Sequence, residues 1–231
     1  MGIVASPAMQ QYFEQISEGV NQAYSVAQQA RAKGLDPEKT VAIPLTKNMA
    51  ERVVGLISVV APQIIDTNVT QRIAELEKEY GLLDWRVGFK IAEEVAKEQF
   101  CKFEDHLTAM EVGIRVGFAY LTLGIVSAPL EGFVGLKIKK RKDGGEYFAL
   151  QYAGPIRGAG GTAASTSVIL ADYVRVKMCY ATYDPDEKEV NRYAIEVSDY
   201  HERVTYLQYR PSDQELKFMV SHLPVEVDGD P

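Results

Sequence analysis

A glycine-rich stretch at residues 152–166, YAGPIRGAGGTAAST, has the composition of a chain segment that brings its backbone close to a charged ligand. It carries four glycines, one proline and one arginine, and it lies between a run typical of a strand and a run typical of a helix. The unpaired amides at the start of a helix attract anions, because the helix dipole places partial positive charge there. The stretch is therefore a candidate anion-binding loop.

Three interpretations of these glycines are open. Gly158, Gly160 and Ala163 match the GxGxxA fingerprint of dinucleotide-binding folds, but that fingerprint belongs to a parallel βαβ unit, whereas an antiparallel hairpin is predicted before it. Residues 158–161 also fit the GxxG loop of KH domains, which holds a nucleic-acid backbone through main-chain amides. The third interpretation is structural, because glycines at a strand-to-helix corner often serve only positive φ angles or tight packing.

Basic residues accompany the loop, although the chain as a whole is acidic. Arg157 directly precedes the glycines, and five further cations crowd the first strand and turn of the predicted hairpin: Lys137, Lys139, Lys140, Arg141 and Lys142. Lysines at a hairpin tip also serve to discourage edge-to-edge pairing of strands. Because cations and free amides help each other to attract an anion, we predict that these six side chains bind DNA phosphates together with Gly158, Gly160, Gly161 and Thr162.

No set of residues in the sequence has the spacing of a known active site. His106, His201 and His222 lie on predicted helices without a histidine partner at i+4, so each is expected to be a surface or interface residue. No paired carboxylates stand on a predicted strand where they could hold two metal ions, and no GxSxG motif frames the serines after the glycines. We therefore predict no catalytic residue, no metal site and no cofactor in this chain.

Composition indicates a globular protein that meets nucleic acid only through a local patch. Hydrophobic residues make up 46% of the 231 residues, which is enough for a substantial core, and the net charge of −7 excludes a surface that is cationic throughout. Cys101 and Cys179 form no CxxC pattern, so they are predicted to be reduced thiols of a cytoplasmic protein. Neither a bilayer-spanning run of about 20 apolar residues nor an export signal is found, so no membrane contact is expected.

Hydrophobic periodicity predicts a mainly helical fold. Helical spacing of apolar residues covers residues 9–33, 49–60, 69–80, 104–126, 162–178, 190–207 and 213–222, with a further apolar face between 84 and 100. Thr162 or a neighbouring serine is expected to cap the helix after the glycines. The period changes to two at residues 134–139 and 147–152, which predicts a hairpin. The predicted fold class is α+β, predominantly α-helical, with one small antiparallel β-hairpin packed on helices.

The predicted domain boundary follows the first helix. Residues 34–47 contain two prolines and lack helical period, so residues 1–46 are predicted to be an N-terminal helix and its tether. Residues 47–231 are predicted to form a helical domain with the hairpin inserted at about 132–153 and the glycine-rich loop at 154–162. The extended, acidic sequence after His222 favours a fragment of a longer chain.

Several blocks of the sequence resemble one family. They are IVSAPLEGFVGLKIKK at 125–140, EYFALQYAGPIRGAGGTAAS at 146–165, ADYVR at 171–175, the opening helix at 9–37, EVSDYHERVTYLQYRPS at 196–212 and HLPVEV at 222–227. In order and spacing they are similar to the N-terminal region of the large subunit of archaeal family D DNA polymerase. The resemblance covers nearly the whole chain. One departure is Gly158-Ala159, where small polar residues are expected in many relatives, and this weakens any role for side-chain hydroxyls there.

The resemblance implies a non-catalytic module, with a KH-like element, of a replicative DNA polymerase. It implies that the complete subunit is a Mg²⁺-dependent DNA-directed DNA polymerase. The implied partners are DNA, a small subunit with 3′-5′ exonuclease activity, the downstream catalytic core of the same subunit and the sliding clamp. In the family, the metal-binding carboxylates and zinc-binding cysteines lie further downstream, so the fragment alone is expected to be inactive.

Two other functions remain open on the sequence. The region could be a purely structural scaffold for assembly without direct DNA contact, in which case its glycines serve packing alone. A nucleotide-cofactor-binding domain is a more remote alternative, and it would require the isolated chain to bind a nucleotide.

Overall fold

The computed structural model describes residues 5–36, 46–204, 206–207 and 209–229. It divides the chain into two compact units, residues 1–45 and 46–231, which are described separately. Most of the predicted tether, residues 37–45, lies outside the described residues.

The described part of the first unit consists of one long helix. Helix α1 spans Pro7–Ala32, and the Ser6 side chain caps it by accepting a hydrogen bond from the Met9 amide. Gly34 ends the helix in the left-handed conformation, at φ +70°. Glycine adopts this conformation more easily than other residues and is therefore common just after a helix. The predicted helix over residues 9–33 is confirmed.

Four helices form the centre of the second unit: α2 (Met49–Ile57), α3 (Val69–Tyr80), α4 (Trp85–Ala96) and α5 (His106–Leu121). Helices α4 and α5 pack closely, because Gly113 and Gly117 lack side chains at their contact. A Cβ atom at Gly113 would lie 2.5 Å from the Ala92 carbonyl oxygen, and one at Gly117 would lie 2.7 Å from that of Gly88. Helix α5 is buried on all sides from Val112 to Tyr120, as its continuous apolar sequence predicts.

Helix α5 ends earlier than the apolar pattern predicts. It stops at Leu121 rather than near residue 126, because Leu123 and Gly124 both adopt positive φ angles of about 60° and the Gly124 amide turns back to the Ala119 carbonyl. Residue Ile125 falls within the predicted helical range 104–126, at the spacing of its apolar stripe, but it lies beyond the helix and its side chain is 69% exposed.

The predicted hairpin is present, but it belongs to a larger sheet. Strands β1 (Phe133–Lys140) and β2 (Glu146–Tyr152) pair in antiparallel orientation. A third strand, β3 (Glu226–Gly229), lies parallel to β2 on its other side, so the sheet is mixed and β2 is central. The predicted antiparallel hairpin is thus extended by a third strand that the sequence did not predict. Five consecutive residues of β2, from Tyr147 to Gln151, are buried. Strands β1 and β3 flank β2 on both edges, helices cover the face that carries Phe148 and Leu150, and the Tyr183 ring packs against Tyr147 on the other face.

A buried arginine attaches the first strand to the helical core. Arg115 of α5 is 4% exposed, and its guanidinium donates to the carbonyls of Pro129, Phe133 and Val134, each at 2.6 Å. It also forms an ion pair of 2.7 Å with Glu111, whose other carboxylate oxygen accepts a hydrogen bond from the β1 backbone. These contacts occupy the outer edge at the start of β1, where another strand would otherwise pair.

Three further helices complete the second unit: α6 (Gly161–Lys177), α7 (Glu187–Arg203) and α8 (Asp213–Ser221). Asp186 and Ser212 form capping boxes at the starts of α7 and α8. Helix α7 ends at Arg203, four residues before the predicted end. Within the described ranges, none of the helices has the combination of length and apolarity needed to span a bilayer. The predicted class, predominantly α-helical α+β, is confirmed, and the KH-like element stays a prediction.

Candidate nucleic-acid interface

The glycine-rich loop connects the central strand to helix α6. Strand β2 ends at Tyr152, a 3₁₀ turn covers Gly154–Ala159, and α6 starts after Gly160. Gly160 has φ +85° and ψ 158°, a conformation open almost only to glycine, and it occupies the N-cap position without any side-chain cap. The prediction that Thr162 or a neighbouring serine caps this helix is therefore wrong. Thr162 lies within the first turn and is exposed.

The first turn of α6 presents free amides to solvent. The first amide of this helix with a backbone acceptor is that of Ala164, which donates to the Gly160 carbonyl at 3.2 Å. The amides of the three preceding residues, 161–163, have no protein acceptor in the described part of the chain. No acidic residue occupies this turn, so the partial positive charge of the helix end is not neutralised locally.

Packing does not require two of the loop glycines. A Cβ atom added at Gly158, Gly160 or Gly161 would meet nothing within 4 Å, and of these three only Gly160 has a positive φ angle. Gly132 differs, because a Cβ there would lie 3.0 Å from the Ile156 Cα, so the loop rests against the chain at that point. Gly158 and Gly161 are thus not explained by the structural interpretation of the loop. The backbone at both positions is open to close approach by an external group.

Arg157 is exposed and carries an uncommitted positive charge beside these amides. The one hydrogen bond of its side chain among the described residues is a long one of 3.5 Å from Nε to the Gly154 carbonyl. It takes part in no ion pair within 4 Å in the described ranges, unlike most arginines of the second unit. The structure therefore brings Arg157, Gly158, Gly160, Gly161 and Thr162 together on one exposed surface, which we call the loop surface.

The hairpin cations run from Lys137 in the middle of β1 to Lys142 in the turn at the far end of the sheet. In the β1–β2 register Phe133 pairs with Tyr152 next to the loop surface, whereas Lys140 pairs with Glu146 next to the turn. Six residues of strand separate these ends, or about 20 Å at roughly 3.3 Å per residue. The structure therefore does not unite the predicted cations with the loop surface in one compact site. A ligand touching both would have to be an extended polyanion.

Three of the five hairpin cations have partners within the protein. Lys137 donates to Gln151 at 3.0 Å, and Arg141 donates to the Thr182 carbonyl at 2.7 Å and pairs with Asp143 at 3.2 Å. Lys139 lies 2.7 Å from the buried carboxylate of Glu226. Burial opposes its charge, but hydrogen bonds to Glu226 and Asp228 outweigh that effect and raise the pKa of Lys139. These residues stabilise the sheet.

Lys140 and Lys142 remain exposed, and neither forms an ion pair within 4 Å among the described residues. They are the two members of the hairpin cluster that are free to meet an external anion. Sequence reasoning missed the internal role of Lys139, although the buried acid that pairs with it stands between two valines in Val225-Glu226-Val227. Such alternation is typical of a strand, and it could have indicated a partner for one of the lysines.

The structure weakens one argument against the dinucleotide fingerprint, namely that no parallel β–α–β unit surrounds it. Strand β2, the loop and α6 are followed by β3, which is parallel to β2, so a parallel β–α–β connection is present after all. A small apolar hollow of about 250 Å³ lies there, lined by Tyr152, Ile156, Ala164, Ser165, Val168 and Val227. The connection contains three helices instead of one, and Asp228, the acid at the end of β3, is already bound to Lys139 at 3.4 Å. A ribose-binding carboxylate of the usual kind is therefore committed elsewhere.

The residues considered for catalysis are dispersed. His106 is the first residue of α5, and its side chain lies 3.3 Å from the Glu98 carboxylate. His201 accepts a hydrogen bond from the Leu207 amide at 3.1 Å. His222 directly follows α8. In the ranges that the structure describes, no group of three or more His, Cys, Asp and Glu side chains is placed to hold a metal ion. The geometry offers anion binding by backbone and cations, and it offers no arranged acid, base or nucleophile among these residues.

Comparison with known proteins places almost the whole chain in one family. Residues 11–231 match the family model described as DNA polymerase II large subunit DP2, N-terminal. A DNA polymerase II large subunit of Nanoarchaeum equitans is 50% identical over 220 residues, which are 95% of this chain and 18% of that protein. Those of Pyrococcus abyssi and Thermococcus kodakarensis are 41% and 39% identical over 96% and 98% of this chain, and over 15% and 12% of their own length. The chain thus spans less than a fifth of each of these relatives.

Proposed function

The chain belongs to the family of DNA polymerase II large subunits, of which it matches the N-terminal part, and we propose that it is a non-catalytic module that helps the polymerase to hold DNA and to assemble. In this proposal the complete subunit is a DNA-directed DNA polymerase that requires Mg²⁺ and acts with a small 3′-5′ exonuclease subunit and the sliding clamp. The nucleotidyl transfer belongs to the downstream catalytic core. The module supplies binding surface.

One observation carries the proposal for DNA contact. Gly158 and Gly161 are exposed and free of any steric need for glycine, and they flank amides that have no acceptor in the described chain. Backbone donors, together with Arg157, recognise a phosphate without reading a base. That is what a replicative polymerase requires, because it must bind every sequence alike.

Lys140 and Lys142 extend the proposed contact along the sheet. They stand at the turn end of the strands, about 20 Å from the strand end that leads into the loop surface. Adjacent phosphates of one DNA strand follow each other at about 3.4 Å along the duplex axis. Two cationic points at this separation suit a strand that runs along the hairpin. The acidic remainder of the chain, with its net charge of −7, would keep a polyanion away from other surfaces.

The test is a titration of this chain with a primer–template DNA at several salt concentrations, followed by fluorescence anisotropy. Arg157→Gln should weaken binding to all sequences alike and reduce the slope of log K against log salt by about one unit. Arg203→Gln is the matched control, because Arg203 is an exposed arginine of α7 with a side chain that is 78% exposed. It should leave the slope unchanged.

Two further variants separate the parts of the proposed surface. Gly158→Ala keeps the fold, since its Cβ meets nothing within 4 Å, yet it should weaken binding by blocking the approach of a phosphate to the backbone. The double variant Lys140→Gln, Lys142→Gln should reduce the salt slope further if DNA follows the hairpin. Equal binding by wild type, Arg157→Gln and Gly158→Ala would refute phosphate binding at the loop surface and leave the assembly scaffold as the function.

The hollow between β2, β3 and α6 favours one alternative, a nucleotide-binding domain. It lies at the carboxyl ends of two parallel strands beside a helix start, which is where α/β folds bind nucleotides. This alternative requires NAD or ATP alone to raise the melting temperature of the chain. The proposed function expects no such shift, because a single phosphate group at an open loop binds weakly.

A further inference from the structure

An exposed apolar surface extends across helices α4 and α6. Its members are linked by contact: the Trp85 and Phe89 rings lie 5.3 Å apart, and the Phe89 and Tyr173 rings lie 5.2 Å apart, both edge to face. Ile169 and Val176 stand one turn before and after Tyr173 on the same side of α6. We call these five residues the aromatic face.

The outer members of the aromatic face are more than half exposed. Trp85 is 61% exposed, Ile169 60% and Val176 54%. Single exposed apolar residues are ordinary on protein surfaces, but a contiguous group that includes a tryptophan is typical of an interface. The next residues round the helix, Leu170 and Val174, are buried in the core, so the aromatic face borders the side of α6 that packs inward.

Lysines form a positively charged rim on one side of the aromatic face. Lys90, Lys97 and Lys177 have their ammonium groups 3.3, 2.7 and 3.9 Å from the carboxylate of Glu93, which is 5% exposed. The single negative charge of Glu93 balances only one of the three lysine charges, so this cluster has a net charge of two positive units. In a chain of net charge −7, such a local excess favours an acidic partner.

We propose that the aromatic face is covered by an amphipathic segment with acidic flanks from the remaining part of the same large subunit. The chain spans 18%, 15% and 12% of three relatives, so more than four fifths of such a subunit lies outside it. Segments of one polypeptide meet at high effective concentration, and even a modest contact is then populated. The inference rests on the family membership and on the assembly role proposed above, and it names the surface that assembly uses.

Cysteine labelling in the complete large subunit tests the inference. Ile169→Cys, in a background with Cys101→Ala and Cys179→Ser, should react rapidly with a maleimide in this chain alone and about tenfold or more slowly in the complete subunit. Peptide mass spectrometry follows labelling at residue 169 itself, because further cysteines are expected downstream in the complete subunit. Ile195→Cys on α7 is the matched control, because Ile195 is 64% exposed and Ile169 60%. The control should react at similar rates in both proteins.

The charge of the partner is tested by adding Lys177→Glu to Ile169→Cys. Lys177 is the most distant of the three lysines from Glu93, so this change removes the longest of the three ion pairs. A glutamate at this position would repel acidic flanks and restore fast labelling in the complete subunit. Labelling that stays slow would refute the acidic partner.

Three other outcomes would overturn the proposal. Fast labelling of Ile169→Cys in the complete subunit means that the face is free. If labelling of Ile169→Cys is slow only when the small subunit is bound, the aromatic face contacts that subunit. If labelling of this chain alone becomes slower as the chain concentration rises, the aromatic face contacts a second copy of the chain. The DNA titration of Arg157→Gln does not depend on any of these labelling outcomes. Failure of the proposal for the aromatic face is therefore distinguishable from failure of the DNA-binding proposal.

Discussion

Replacing the buried arginine of α5 should release the hairpin from the helical core. Arg115→Met keeps the length and apolar stem of the side chain but removes donors to three carbonyls at 2.6 Å and to Glu111 at 2.7 Å. Loss of one member of a buried ion pair costs about 3–5 kcal/mol. Water can reach part of Glu111, whose side chain is 27% exposed, so we expect about 3 kcal/mol from the lower end of that range.

Urea unfolding followed by circular dichroism measures this loss, and urea is preferred to guanidinium because it leaves ion pairs unscreened. Adding Glu111→Gln to Arg115→Met should restore about 1 kcal/mol, because the amide removes the unpaired charge while its oxygen still accepts the hydrogen bond from the Leu136 amide. Arg203→Met, at an arginine whose side chain is 78% exposed, should change stability by less than about 0.5 kcal/mol.

The result that would refute this reasoning is a loss below about 1 kcal/mol for Arg115→Met with an unchanged denaturant slope. It would mean that water replaces the guanidinium at the three carbonyls. Strand β1 would then be held by its pairing with β2 and by apolar packing alone.

Three further predictions concern the loop and the buried polar groups. Gly160→Ala should destabilise the chain by about 1–3 kcal/mol in urea unfolding, because Gly160 has φ +85° and ψ 158°, whereas Gly158→Ala should leave stability unchanged. Burial opposes ionisation of Glu93, yet hydrogen bonds from two lysines and a tyrosine lower its pKa to about 2. Its contribution to stability is therefore present above its ordinary pKa of 4.5 and is lost as pH falls toward 2, and Glu93→Gln should flatten the melting temperature across that window. Tyr183→Phe should cost nothing measurable, since the buried Tyr183 hydroxyl has no partner among the described residues, while Tyr147→Phe should cost about 1–2 kcal/mol because that hydroxyl donates to a buried carboxylate at 3.0 Å.

Local patterns in the sequence predicted most of the elements. The spacing of apolar residues predicted the helices from α1 to α8, and the change to period two predicted β1 and β2. The end of α5 was missed, because the residues after Leu121 are as apolar as those before it and only the positive φ angles at Leu123 and Gly124 stop the helix. The pairing of β3 was missed although Val225-Glu226-Val227 alternates as a strand does, because its partner, β2, lies more than 70 residues earlier in the chain.

The candidate site divides in the same way. The sequence by itself determined that a glycine-rich loop with one arginine precedes a helix and that five cations lie in the first strand and its turn, since both are properties of neighbouring residues. The predicted hairpin already implied that the turn cations and the loop lie at opposite ends of its strands. Only the tertiary structure decided that Lys139 is bound to Glu226 and that Gly158 and Gly161 face open solvent. Strand direction and burial arise from contacts between residues far apart in the chain, and no pattern of neighbouring residues fixes them.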